Sequence, residues 1–258
     1  MEINIPDGRQ IERAPFFLSV HKAGSSLQTG IVEAICNNFR ISCLNIPAQI
    51  FDHGIRPEDC GMDVLSILEN NYVCTGFRET SLLDRVRRYW TAPKRLLLRD
   101  PRDIVVSLYF SVLNHPIPLH DGPVKDDILG ARRNAEQMGV SDFVLAGVAE
   151  DILWNMRRFI HQADEIPNFK ITRYEDIIFK KREWINEIGE QLQVNLLPSF
   201  ISELLEQFDV FPVEENPEGL IRKVTPGDYR DRLNSRALEY LEKGFQDIFH
   251  RLDYPLSW

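Results

Sequence analysis

The sequence predicts an α/β chain in which one domain, residues 1–258, builds a central, mainly parallel sheet flanked by helices. Three observations predict it. Strand candidates at Phe16–Val20, Lys94–Arg99 and Phe169–Arg173 alternate with stretches of helical periodicity. Each run stops at a short polar segment, H-K-A-G-S-S, D-P-R-D and Y-E-D respectively. No internal repeat or low-complexity tract interrupts the alternation. In such sheets ligands bind beyond the C-terminal ends of the strands, so the three polar segments are expected at one edge.

The first strand, within Phe16–Ser26 (F-F-L-S-V-H-K-A-G-S-S), feeds a glycine-containing turn. A helical pattern opens at Leu27, carries Ile31, Ala34 and Ile35 on one face and ends near Asn38. Backbone N–H groups and a helix N-terminus in such a turn offer partial positive charge to an anion. A nucleotide-hydrolysing P-loop, G-x-x-x-x-G-K-[ST], needs lysine directly after its second glycine, but Lys22 precedes Gly24 and Ser25 stands in the lysine position. Strand alternation carried past Val20 turns His21 away from Lys22.

A second short strand is expected in I-S-C-L-N-I, residues 41–46, and a loop from Pro47 to Gly61, whose two prolines and two glycines punctuate it. Asn71–Phe77 reads as a strand and Leu82–Tyr89 as a short helix with a solvated basic face. Pro101 suits the first turn of a helix that reaches Asn114. His115–Gly122, H-P-I-P-L-H-D-G, is incompatible with regular structure, and a helical region with gaps covers Lys125–Gln162. Y-E-D leads into one long helix ending near Leu192, and Ser235 caps a final helix that buries Leu238, Leu241, Phe245 and Phe249. Between them, Leu220–Asn234 forms a basic loop containing Pro226 and Gly227.

Thirty Lys and Arg against 39 Asp and Glu give a formal charge of -9, so any phosphate site is a local basic pocket on an acidic body. That balance disfavours nucleic acid and anionic polysaccharides as partners. The opening M-E-I-N-I-P-D-G lacks the basic-then-apolar pattern of a secretory leader, and no stretch approaches the roughly 18 apolar residues of a membrane span. A cytoplasmic location without membrane attachment is the expectation. Cys36, Cys43, Cys60 and Cys74 lack metal-ligand spacing and read as reduced core thiols, and no metal site is expected.

At R-D-P-R-D-I-V-V-S the sequence resembles the 3'-phosphate-binding segment of sulfotransferases that use 3'-phosphoadenosine 5'-phosphosulfate (PAPS). The resemblance implies that Arg99 and Ser107, eight residues apart, grip the 3'-phosphate, in keeping with the bidentate fit of a guanidinium to phosphate. H-K-A-G-S-S is similar to that family's 5'-phosphosulfate loop, implying donor contacts from Lys22, Ala23, Gly24, Ser25 and Ser26. R-K-V-T-P-G-D-Y resembles its C-terminal R-K-G-x-x-G-D-W, which puts Arg222 and Lys223 on the 3'-phosphate. R-Y-E-D implies Tyr174 near the adenine. These motifs run through the chain in the family's order, and they imply a P-loop-like sulfotransferase fold, PAPS as co-substrate, PAP as product and no metal.

The departures from the family pattern bear on chemistry. Leu27 stands where many members have an adenine-packing Trp, so Phe208 is the expected stacking residue; Val224 replaces a glycine. The family's catalytic His is missing from T-G-F-R-E, Thr75–Glu79. Glu79 is therefore the first choice of base and His53, oriented by Asp52, the next, while His53, His115 and His120 are candidates for the acceptor pocket. The implied reaction is in-line sulfuryl transfer to a hydroxyl or amine of a small neutral or cationic acceptor, with Lys22 assisting the leaving group. The alternatives are a nucleotide-binding protein that has lost catalysis and a nucleotide-dependent kinase.

Overall fold

The computed structural model describes residues 3–114, 120–211 and 223–257. Its first half runs β1 (Phe16–Ser19), α1 (Ser25–Asn38), β2 (Cys43–Leu44), α2 (Ile46–Asp52), α3 (Met62–Leu68), β3 (Val73–Phe77), α4 (Arg87–Thr91), β4 (Lys94–Leu98) and α5 (Pro101–Asn114). The second half runs α6 (Pro123–Ala135), α7 (Val140–Leu145), α8 (Glu150–Glu165), β5 (Phe169–Arg173), α9 (Tyr174–Ile177), α10 (Lys181–Gln191), α11 (Pro198–Phe208), α12 (Tyr229–Arg232), α13 (Ser235–Gly244) and α14 (Gln246–Arg251).

The five strands form one sheet in the order β2-β3-β1-β4-β5, and every pairing is parallel. Parallel strands need crossover helices, which cover both faces, and the central strands are accordingly buried along their whole length. Phe16 and Leu18 of β1 point to the face covered by α3, α5, α8, α13 and α14, whereas Phe17 meets α1, α10 and α11 on the other. Two core clusters thus sandwich the sheet, and β1, β3 and β4 deliver their C-terminal loops side by side.

Several boundaries differ from the sequence reading for local reasons. Residues 46–52 are helical instead of looped: Asn45 caps α2 by accepting the Ala48 N–H at 3.2 Å, and Pro47 occupies a first-turn position where its missing N–H costs nothing. Helix α1 begins at Ser25, two residues early, because Gly24 adopts the left-handed conformation at its N-cap. The long helix expected from Tyr174 breaks into α9 and α10, and the last helix breaks at Phe245 into α13 and α14. Asn234 caps α13, its Oδ1 accepting from Ala237 at 2.9 Å, in place of Ser235. Within Leu82–Tyr89, Arg88 is structural: its guanidinium donates to the carbonyls of Leu68, Ala14 and Tyr72. All four cysteines are buried and reduced, and no described helix is long and apolar enough to cross a membrane.

Candidate active site

A cavity of about 860 Å³ opens at the C-terminal edge of β1, β3 and β4, within the size range of small-molecule sites. Its floor is the turn after β1. Strand alternation ends at Val20, because Lys22 takes φ 65° and Gly24 φ 93°; a β-carbon on Gly24 would lie 3.0 Å from Tyr174 Cδ2. This turn carries Lys22 to the cavity wall with Gly24, Ser25 and Ser26. His21 lines the same cavity, contrary to the expectation that it turns away, because the backbone has left the strand. Ala23 instead packs into the core, so only its backbone is available to a ligand.

On the β4 side, Arg99 is 5 % exposed and yet lines the cavity. Its Nη2 reaches Asp103 at a long 3.4 Å, its guanidinium lies 4.8 Å from the Tyr174 ring centre, and its buried Nε has no hydrogen-bond partner among the described residues. Orphaned buried donors are uncommon and mark where a ligand completes the network. Ser107, two turns along α5, and Lys223 line the same cavity. The Tyr174 hydroxyl donates to the Val224 carbonyl at 3.0 Å, and burial pushes its pKa up to about 12, so it stays a neutral donor. Phe208 closes the wall beside Leu27 and Gly30, where a β-carbon would stand 2.6 Å from the Phe208 ring. Arg222 and His115 lie outside the described residues.

Asp103 organises this side and escaped the sequence reading. Its carboxylate accepts from the Gly227 N–H at 2.7 Å and the Tyr229 N–H at 3.1 Å, tying α5 to the P-G-D-Y turn. The readable signal was the second aspartate of R-D-P-R-D. Beneath it, Arg102 is 1 % exposed between Asp100 and Glu242, each 2.7 Å away, and packs on the rings of Tyr229 and Phe249. Burial raises the Asp100 carboxyl while Arg102 opposes that shift.

The expected base and acceptor groups are placed differently. Glu79 is absent from the cavity wall and accepts the Ser81 N–H at 2.6 Å, while its neighbour Arg78 lines the cavity and donates through Nε to Ser25 Oγ at 3.2 Å. His53 and His120 are exposed beside the rim residue Asp52, their rings stacked with centres 5.3 Å apart. His53 Nδ1 donates to the Gln49 carbonyl and His120 Nδ1 to that of Asp52, so the Asp52 carboxylate does not orient His53. Glu33, also on the wall, accepts from Asn45 Nδ2 at 3.1 Å.

No family model and no curated protein sequence matches the chain. Among solved structures, mouse sulfotransferase SULT7A1 complexed with PAP aligns over 97 % of this chain and 91 % of its own, at 13 % identity and a TM-score of 0.63. Retinol dehydratase in a complex with retinol and PAP aligns over 92 % of this chain and 81 % of its own, at 19 % identity and a TM-score of 0.48. At 13 % identity and near-complete coverage the first likeness is one of fold, and the five-stranded parallel sheet agrees with it: the chain has the fold of the PAPS-dependent sulfotransferases.

Proposed function

We propose that this chain is a sulfotransferase that moves a sulfuryl group from PAPS to a hydroxyl or amine of a small neutral or cationic acceptor, leaving PAP. The observation that carries the reading is Arg99: buried, with an Nε that has no hydrogen-bond partner among the described residues, on the wall of the same cavity as the left-handed turn at Lys22–Gly24, with the Tyr174 ring against both. Two anion grips on one cavity wall suit a nucleotide that carries two phosphates. The lining fits the donor: Arg99, Ser107 and Lys223 would hold the 3'-phosphate, Phe208 and Tyr174 the adenine, and Lys22 with the Gly24–Ser26 backbone the 5' end. When bound, the donor supplies an activated sulfuryl group.

Lys22 and the N–H groups opening α1 stabilise charge developing on the leaving oxygen, without reorganisation at the moment of reaction. The acceptor's proton needs a base on the wall, which His21 and Glu33 both line. Glu33 lies eight residues along α1 from Ser25, about 12 Å at the helical rise, so His21, next to Lys22, is the assigned base in place of Glu79. His53 and His120 border the acceptor's entrance beside Asp52.

The test is incubation with labelled PAPS and a panel of alcohols, phenols and amines, with and without magnesium. Magnesium-independent label transfer is expected, reduced at least about 100-fold in His21→Asn and unchanged in Glu79→Gln. Tight PAP binding with no transfer to any acceptor would instead assign a nucleotide-binding protein without catalysis, and a strict magnesium requirement would favour a kinase.

A further inference from the structure

The geometry points to a dedicated anion subsite at the C-terminal end of β3, in which Arg78, anchored by Ser25, contacts the sulfuryl oxygens of the donor. This rests on the sulfuryl-transfer reading and adds a contact that it does not contain.

The strand is built to present this residue. Val73 packs with Phe17 on the α1 face and Thr75 bonds Thr29 of α1, whereas Cys74 packs with Phe16 on the opposite face. Continued alternation would put Arg78 on the Phe16 face, away from α1. The register shows why it does not: Phe16 pairs with Cys74, but Leu18 pairs with Phe77, so β3 holds one extra residue. Gly76, at φ 84°, occupies the irregularity, and a β-carbon there would lie 2.2 Å from Asn45 Oδ1. Such a bulge reverses the side-chain phase, and bulges beside sites re-aim side chains. Phe77 accordingly joins the Phe16 face, with ring centres 6.3 Å apart, and Arg78 turns to Ser25 at the head of α1.

Charge supports the same assignment. Arg95, Arg99 and Arg102, in and after β4, each pair with a carboxylate. Among the described residues no carboxylate lies within ion-pair distance of Arg78, and Ser25 Oγ is its hydrogen-bond partner. Burial lowers its pKa, so the folded protein carries a desolvation cost that no acid offsets. A guanidinium in that state is prepared for an anion that arrives with a ligand. Its side of the cavity decides which anion. In the order β3-β1-β4, Arg99 extends from β4 and Arg78 from β3, with the Lys22 turn of β1 between them. A donor gripped at its 3'-phosphate by Arg99 and at its 5'-phosphate by the turn directs its terminal group, the sulfuryl, toward Arg78.

The test is calorimetric binding of PAPS and of PAP, without acceptor, to the full chain and to Arg78→Met and Arg78→Lys, with thermal melts of each. Removing one charge-assisted contact should weaken PAPS about tenfold or more in Arg78→Met while leaving PAP within about threefold. Arg78→Lys should recover only part of the loss, since a point charge lacks the planar fork. Ser25→Ala, which frees the Arg78 anchor and keeps its charge, should show a smaller loss of the same PAPS-selective kind. An unchanged PAPS-to-PAP affinity ratio, or equal losses for both nucleotides, would overturn the assignment. If the unsubstituted chain binds neither nucleotide, the sulfuryl-transfer reading fails first and this inference with it.

Discussion

Replacing Arg99 by methionine separates the two ends of the proposed nucleotide. Among the described residues the Arg99 guanidinium has one weak hydrogen bond, to Asp103 at 3.4 Å, a stacking contact with the Tyr174 ring and a buried Nε with no partner. Most of its donor capacity is therefore available to a ligand. Two charge-assisted hydrogen bonds to a phosphate, at about 1.5–3 kcal/mol each, give a loss of about 3–6 kcal/mol on truncation, or roughly 150- to 20,000-fold in affinity. The assay is calorimetric titration with PAP and with 5'-AMP, which lacks the 3'-phosphate. PAP should weaken by that factor, while 5'-AMP should change by less than about threefold, because its contacts lie at the Lys22 turn and the Phe208 wall. The 5'-AMP titration also monitors Tyr174, whose ring lies under the guanidinium. Asp103 keeps two backbone N–H donors after the substitution, so the fold should survive it, as a melt would verify. Equal losses for both nucleotides would show that Arg99 supports the cavity as a whole and holds no 3'-phosphate, and the reasoning would fall.

Other consequences follow from burial and packing. Lys94 is 1 % exposed, and burial pushes its pKa down to about 8 from 10.5. The unfolded chain then binds more protons between pH 8 and 10.5, so the stability of the natural chain relative to Lys94→Met should rise by about 2–3 kcal/mol between pH 7 and 10.5 in urea titrations; a flat difference would refute the shift. Gly30→Ala should keep or slightly raise the melting temperature, since alanine favours a helix interior by about 1 kcal/mol, yet weaken PAP severalfold by displacing the Phe208 ring. Unchanged PAP affinity would remove Phe208 from the adenine wall. Glu242→Gln leaves the buried Arg102 one of its two carboxylates and should cost about 3 kcal/mol of stability in a denaturant titration while sparing PAP affinity.

Much of the frame was legible because its signals are local. The β1 and β4 segments carry unbroken apolar triplets, Phe16–Leu18 and Leu96–Leu98, since central parallel strands are buried on both faces, and the polar residues that follow mark the ligand edge without knowledge of the packing. What failed was also local in cause, but ambiguous in sign. Pro47 reads equally as a loop breaker and as a first-turn residue, and only the Asn45 cap decides between them. His21 was placed by an alternation that Lys22 ends through a positive φ, a conformation that a lysine gives no reason to expect.

Arg78 exposes a different limit, and it locates where sequence reasoning about a site has to stop. Its side-chain direction depends on one extra residue in a five-residue strand, and a glycine inside a strand is compatible with a bulge, a close backbone contact or neither. At Gly76 both of the first two apply, because a neighbouring side chain occupies the space of a β-carbon. That neighbour, Asn45, also caps α2 and donates to Glu33, so the same residue shapes the cavity wall and fills the space beside the bulge that re-aims Arg78. Coupling of this kind runs through space between β2 and β3 and leaves no spacing in the chain. It also explains how a site can lack histidine at the strand end and still be charged there: a one-residue insertion converts a side chain on the Phe16 face into a cation on the wall. The chemistry at that edge is therefore set by strand phase as much as by residue type.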